Sequence, residues 1–253
     1  MTITVVDICR YPVKGLNAES LERVTLTAGQ GLPHDRRFAI AHGSARFDRE
    51  APQWLPRTNF FMLMRDDKLA LLRAAFDPEA RKLTIERAGK QVVSADPTDL
   101  VGRTLIAEFF SGYLAASARG APKLLESEGH MFSNAPEKLV SIVNLASVRD
   151  LERVVRRPVH PLRFRANIYI DGAPPRQEFA WTGATVQIGR AGLRIAEPIE
   201  RCAATNVDPD SGERDLNIPR TLQEGFGHGR MGVYATVTRD GELAIGDSLT
   251  LAD

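Results

Sequence analysis

With 33 basic and 32 acidic side chains among 253 residues, the chain carries a net charge of +1, so its overall balance gives no argument for nucleic acid or a membrane surface as partner. At 27.9 kDa it can bury a substantial core without staples. Two cysteines, no Cys-x-x-Cys pair, no Asn-x-Ser/Thr acceptor and no apolar run of about 18 residues point to a cytoplasmic, reducing setting with no membrane span.

The start, Met1-Thr2-Ile3-Thr4, already reads as strand, so no secretory leader is expected. Short β-like runs follow at residues 3–8, 21–27, 38–41 and 69–72. Residues 82–87 and 91–94, around Ala88-Gly89-Lys90, read as a hairpin. From Asp99, placed as an N-cap, to about Leu114 the apolar residues recur at helical spacing. Gly120-Ala121-Pro122 then reads as a connection, dividing the chain into regions 1–120 and 121–253 packed as one unit. A second helix is expected over 147–156, stopped by Pro158. Strands return at 165–171, 185–188 and 193–196, and a closing hairpin joins 232–238 to 243–251 about Arg239-Asp240-Gly241. Many short strands, few helices and no evident parallel βαβ unit predict a β-rich α+β fold centred on a β-barrel, not a doubly wound sheet.

The sequence lacks a Walker loop, a Gly-x-Gly-x-x-Gly after a strand, a His-Glu-x-x-His and a Gly-x-Ser-x-Gly, which weakens nucleotide, zinc and hydrolase readings; no pyridoxal phosphate site is expected either. The five histidines are scattered without ligand spacing. Cys202 draws attention because Arg201 precedes it, small residues follow, and the run from Asp208 to Gly212 reads as a tight turn. Taken alone it is open to two readings: an apolar, buried thiol, the commoner state of free cysteine, or a metal or sulfur ligand at a strand end. Cys9, inside an alternating strand, reads as core. Three basic spots, around Lys14, Arg36 and Arg165, would each suit a phosphate or another anion.

In order, these are Tyr11-Pro12-Val13-Lys14, Asp35-Arg36, Arg163-Phe164-Arg165-Ala166-Asn167-Ile168 and Arg201-Cys202 ahead of Asp208-Pro209-Asp210-Ser211-Gly212. That succession resembles the MOSC family of molybdenum-cofactor-binding proteins, which includes the mitochondrial amidoxime-reducing components. The resemblance spans nearly the whole chain and makes region 1–120 the MOSC N-terminal β-barrel-like part and 121–253 the MOSC domain. It implies that Cys202 ligates the metal of molybdopterin. It further implies that Lys14, Arg36, Arg165 and Asn167 hold the pterin and its phosphate, with Asn144, Ser147, Thr205 and Asp208 as further cofactor contacts; Asp208 is equally suited to stabilising its turn. Two positions depart from the amidoxime-reducing pattern: Gly15 where serine is frequent, and Ala166 where proline is. The segment 46–50 also matches poorly.

The implied activity is a cytoplasmic molybdenum-cofactor oxidoreductase that reduces small N-hydroxylated or N-oxygenated substrates. Two cysteines are too few for a built-in four-cysteine [2Fe–2S] centre, so electrons are expected from a separate reductase or ferredoxin-like partner. The alternative is a cofactor carrier or a sulfur-transfer module bearing a persulfide on Cys202.

Overall fold

The computed structural model describes residues 2–252, and a closed barrel of seven strands lies at its centre. The chain opens with β1 (Ile3–Arg10), β2 (Val13–Lys14), β3 (Glu19–Ser20), β4 (Arg23–Leu26) and β5 (Phe38–Ala41). A three-stranded antiparallel meander follows, β6 (Leu72–Asp77), β7 (Lys82–Arg87) and β8 (Lys90–Ala95). Next come α1 (Leu100–Tyr113) and β9 (Lys123–Glu126). The second half runs β10 (Val140–Asn144), α2 (Leu145–Val155), β11 (Ile168–Asp171), α3 (Gln177–Ala180), β12 (Thr185–Ile188) and β13 (Ala191–Glu200), and ends with α4 (Ile218–Phe226), β14 (Arg230–Arg239), β15 (Gly241–Ala244) and β16 (Ser248–Leu251).

Around the barrel the order is β11, β10, β14, β13, β12, β16, β1, and β1 closes the circuit by pairing with β11 at Thr4 and Asp171. The interior is filled by β-branched and leucine side chains, among them Val5, Ile142, Ile168, Val186, Leu193, Ile195 and Val233, all essentially inaccessible. Full burial of each such side chain is worth about 2 kcal/mol, which holds the closure. A second core packs α1 through Ile106 and Phe110 against Phe38, Phe61, Leu72 and Phe76. The helix starts where expected, because the Asp99 carboxylate accepts the Gly102 N–H at 2.6 Å.

Four expectations are corrected by the pairing. Residues 67–71 form a 3-10 turn, and the strand begins at Leu72, where buried and exposed positions alternate regularly. The closing hairpin does not form: β14 pairs with β10 and β13, whereas β15 pairs with β4, Gly241 opposite Leu26. Asp240 directs this exchange by accepting the Ala28 N–H at 2.7 Å. A parallel βαβ unit is present, since β10 and β11 pair in parallel with α2 between them. Finally, the strand expected from residue 165 starts at Ile168, because Arg165 turns into the left-handed region at φ +51°.

Candidate functional site

Cys202 lies two residues beyond the end of β13, and its carbonyl accepts both the Thr205 N–H at 3.0 Å and the Thr205 hydroxyl at 2.9 Å. Thr205 thus closes the turn Ala203–Asn206 and fixes the direction in which the thiol leaves the backbone. On the other side Arg201 is clamped by carbonyls. Its Nη1 donates to Phe164 O at 2.8 Å and its Nε to Met231 O at 2.8 Å. Close approach here depends on Gly232, whose φ is +71° and where an added Cβ would sit 2.4 Å from Ile142 O. The Cys202 thiol is half-buried and forms no hydrogen bond among the described residues.

It faces a cleft of about 1060 Å³, mouth included, that also receives Lys14, Arg36, Arg57, Arg165, Asn167 and Arg201. Lys14 sits on the floor, 8% exposed, with Nζ donating to Phe132 O at 2.9 Å, Ser133 O at 3.2 Å and Asn134 Oδ1 at 2.8 Å. Burial, reinforced by Arg36, Arg165 and Arg57, pulls its ammonium down to about 7. Arg36 and Arg165 lie over the Tyr11 ring at 4.6 and 4.4 Å, and Arg36 Nη2 donates to Arg165 O at 2.9 Å. Both backbones are left-handed, at φ +47° and +51°, so these two side chains are delivered by strained turns of the kind that cluster at functional sites.

The charges are unevenly met. Arg36 is paired with Asp35, yet among the described residues Lys14, Arg57, Arg165 and Arg201 have no carboxylate within 4.0 Å. Burial would deprotonate a lysine here before an arginine: it draws Arg165 to about 10 and Arg201 below the ordinary guanidinium range, which leaves both charged at neutral pH. The single carboxylate among the lining residues, Glu200, stands exposed at 3.6 Å from Arg230. Concentrated cations without carboxylate partners are chemically suited to an anion, and a thiol beside them to a soft metal or sulfur. No group of three or more His, Cys, Asp or Glu among the described residues could hold a bare metal ion, so a metal at Cys202 needs ligands of its own.

The residues singled out in the sequence separate into three sets. Cys202, Lys14, Arg36, Arg165, Asn167 and Thr205 are brought together around the cleft. Asn167 is committed to the frame: its Oδ1 accepts the Ser141 N–H at 3.1 Å and hydroxyl at 2.9 Å, and its Nδ2 donates to Cys9 O. Asp208 lies outside, where it caps Asp210 and Ser211 and pairs with Arg163 at 2.8 Å. Asn144 and Ser147 lie elsewhere, fully buried around Glu178. Asn144 caps α2 through Ala146 N–H, and the Ser147 hydroxyl donates to Glu178 Oε1 at 2.9 Å. Burial pushes the Glu178 carboxyl up, and these donors partly oppose it. The sequence does not single out Arg57 or Asn134: Arg57 opens a short 3-10 turn (Arg57–Asn59), Asn134 sits in an irregular segment, neither stands in a motif, and only tertiary folding brings 57–64 and 131–135 to the cleft. Cys9 is core, as expected, and its thiol donates to Asp7 at 3.4 Å.

Gly15 lines the same cleft at φ +90°, with an added Cβ 3.4 Å from Phe61 O. The conformation itself favours glycine over serine at this position.

The fold is thus a β-barrel whose rim brings a thiol and several cations to one cleft. The chain belongs to the MOSC family: it matches the description MOSC domain over residues 129–250 and MOSC N-terminal beta barrel domain over residues 2–117. Molybdenum cofactor sulfurase 2 of Culex quinquefasciatus is 28% identical over 256 residues, covering 90% of this chain and 33% of that protein. Mitochondrial amidoxime reducing component 2 of Bos taurus is 23% identical over 282 residues, covering 96% of this chain and 82% of its own length. The chain therefore spans about a third of the sulfurases it matches. Among solved structures, the YUAD protein from Bacillus subtilis aligns with a TM-score of 0.45 and 12% identity, covering 98% of this chain and 94% of that one. No helix among the described residues is long and apolar enough to cross a membrane.

Proposed function

We propose that the cleft holds a molybdenum cofactor with Cys202 as the protein ligand to the metal, and that the chain reduces N-hydroxylated or otherwise N-oxygenated small molecules. One observation carries this reading: a thiol with no hydrogen-bond partner among the described residues opens into a cavity whose Lys14, Arg57, Arg165 and Arg201 have no carboxylate among those residues within 4.0 Å. The donor set fits the group, because a pterin phosphate requires cations and a metal already carrying dithiolene sulfurs requires only one thiolate from the protein. The amidoxime-reducing and cofactor-sulfurase names of its relatives support the same cofactor.

In this reading regions 1–120 and 121–253 supply opposite walls of one site. Lys14, Arg36 and Arg165 bind the phosphate, and Arg57 meets negative charge at the mouth. Arg201 holds the backbone beside Cys202 through the Phe164 and Met231 carbonyls and adds positive charge to that wall. Asn167 keeps β1, β10 and the Arg165 turn in register. Met62, Leu63, Met64 and Met131 give the cleft an apolar flank that limits water. When bound, the cofactor supplies the two-electron chemistry that, with two protons, converts an N–OH group to N–H and water. The two cysteines of these 253 residues cannot build a four-cysteine cluster, so the electrons reach the cleft from outside this MOSC unit, in our reading from a reductase or ferredoxin-like protein.

The test is elemental analysis for molybdenum on protein from a host that makes the cofactor, beside benzamidoxime reduction with an artificial reductant. Stoichiometric metal with turnover supports the oxidoreductase. Metal without turnover points to a cofactor carrier or sulfur-transfer module, and absence of molybdenum in cofactor-replete cells refutes both.

A further inference from the structure

A second cavity of about 630 Å³, mouth included, adjoins the cleft and shares Gly15, Leu63, Arg163, Arg165 and Ala204 with it as a common wall. Ala204, two residues along the chain from Cys202, lines both cavities, whereas Cys202 itself lines only the cleft. Its remaining lining is largely apolar, with Leu16, Ala18, Ala70, Leu162 and Val207.

Two of the three arginines lining this lobe are met by carboxylates. Arg73 pairs with Asp210 at 3.0 Å and donates to Ala70 O at 2.8 Å. Arg163 is pinned between Asp208 at 2.8 Å and Asp215 at 2.7 Å, behind the wall. Arg165, on the wall shared with the cleft, donates Nη1 to Leu16 O at 2.5 Å. Neighbouring cavities thus differ in balance: the Cys202 cleft has cations in excess, whereas this one offers largely apolar surface and two arginines already paired. A phosphate or an appended nucleotide gains little here, because it would have to displace a carboxylate already in place; an uncharged ring or branched alkyl group gains by leaving water.

We propose that this lobe binds the uncharged organic portion of the substrate, an aryl or branched alkyl group, so that its N–O end lies on the Cys202 side of the shared wall. The assignment rests on the reductase reading and adds to it a substrate class and the residues that select it. Hydroxylamine has no organic group to place in the lobe, so it serves as the internal reference.

The experiment compares kcat/KM for benzamidoxime and hydroxylamine in the molybdenum-loaded protein, using an artificial reductant, for the natural chain, Ala18→Phe and Leu162→Ala. Ala18→Phe fills the lobe, and the benzamidoxime-to-hydroxylamine ratio is expected to fall about ten- to hundredfold through KM, the range that small steric changes produce in apolar pockets. Leu162→Ala enlarges it and shifts preference toward naphthamidoxime, a gain that misfolding would not produce. Saturation-transfer NMR with benzamide on the same proteins is expected to show binding that Ala18→Phe abolishes. Unchanged ratios in both variants overturn the assignment, as does undiminished benzamide binding in Ala18→Phe. Loss of molybdenum from Ala18→Phe with the substrate ratio unchanged overturns it too, and gives the lobe to the cofactor. If the natural chain reduces neither compound, the reductase reading fails while the benzamide measurement still decides the lobe.

Discussion

Lys14 makes anion binding in the cleft dependent on pH in a way that can be worked out beforehand. Burial and the surrounding arginines lower its ammonium to about 7. At an effective dielectric constant of about 20, each unit of anionic charge about 6 Å from Nζ stabilises the protonated form by about 3 kcal/mol. Sulfate carries two such charges, so its binding holds the ammonium's value well above 7. Binding above pH 7 therefore takes up a proton. Affinity is fully present below about pH 7 and is lost as pH rises through the bound value, about tenfold per pH unit in between. Sulfate is the appropriate probe because its charge does not change in this window. The measurement is calorimetric titration of cofactor-free protein from pH 6 to 9, in a Cys202→Ser background that keeps the thiol out of the titration. With Lys14→Met added, binding is expected to be weaker and its pH profile flat. A sulfate affinity independent of pH with Lys14 present, or the same slope with and without it, would refute this account of the floor of the cleft.

Other outcomes follow from the same geometry. Cys202→Ser is expected to abolish benzamidoxime reduction and leave the melting midpoint within about a degree, since the thiol makes no hydrogen bond; turnover retained in this variant would remove Cys202 from the chemistry. Cys9→Ser buries a hydroxyl in a packed core and is expected to cost about 1–2 kcal/mol by urea denaturation with reduction unchanged. Asn144→Ala loses the α2 cap and one of the two side-chain donors to Glu178, a cost of about 2–3 kcal/mol, while molybdenum content stays at the level of the natural chain; a fall in metal with stability intact would return Asn144 to the cofactor site. Gly232→Ala forces a Cβ against Ile142 O at a left-handed backbone and is expected to destabilise by about 3 kcal/mol, read as a drop in denaturation midpoint.

What could be read from the residues alone follows their physics. Alternation of β-branched and polar side chains exposes the barrel strands, and Asp99 announces α1, because both signals are local. Residues 140–144 give no strand signal for the opposite reason. Val140-Ser141-Ile142-Val143-Asn144 is buried at every position and so lacks the alternation of a half-exposed strand, and its parallel pairing with β11 stays hidden. Asp240-Gly241 has the letters of a hairpin turn, but no turn forms there: β14 runs through Asp240 into β15, which pairs with β4. At the site, Lys14, Arg36, Arg165 and Cys202 converge because each stands in a motif. Asn144 and Ser147 do not, since a capping asparagine and a buried serine have the same letters as cofactor contacts. Arg57 carries no local signature at all, and its place at the mouth is a product of tertiary packing.

The claim that the Cys202 sulfur is the protein's bond to molybdenum is tested most directly by X-ray absorption at the molybdenum K-edge on protein from a cofactor-replete host, natural chain against Cys202→Ser. The expected result is one fewer sulfur in the molybdenum coordination shell of the Cys202→Ser protein, with the pterin sulfurs retained. Identical sulfur counts in the two proteins would contradict it.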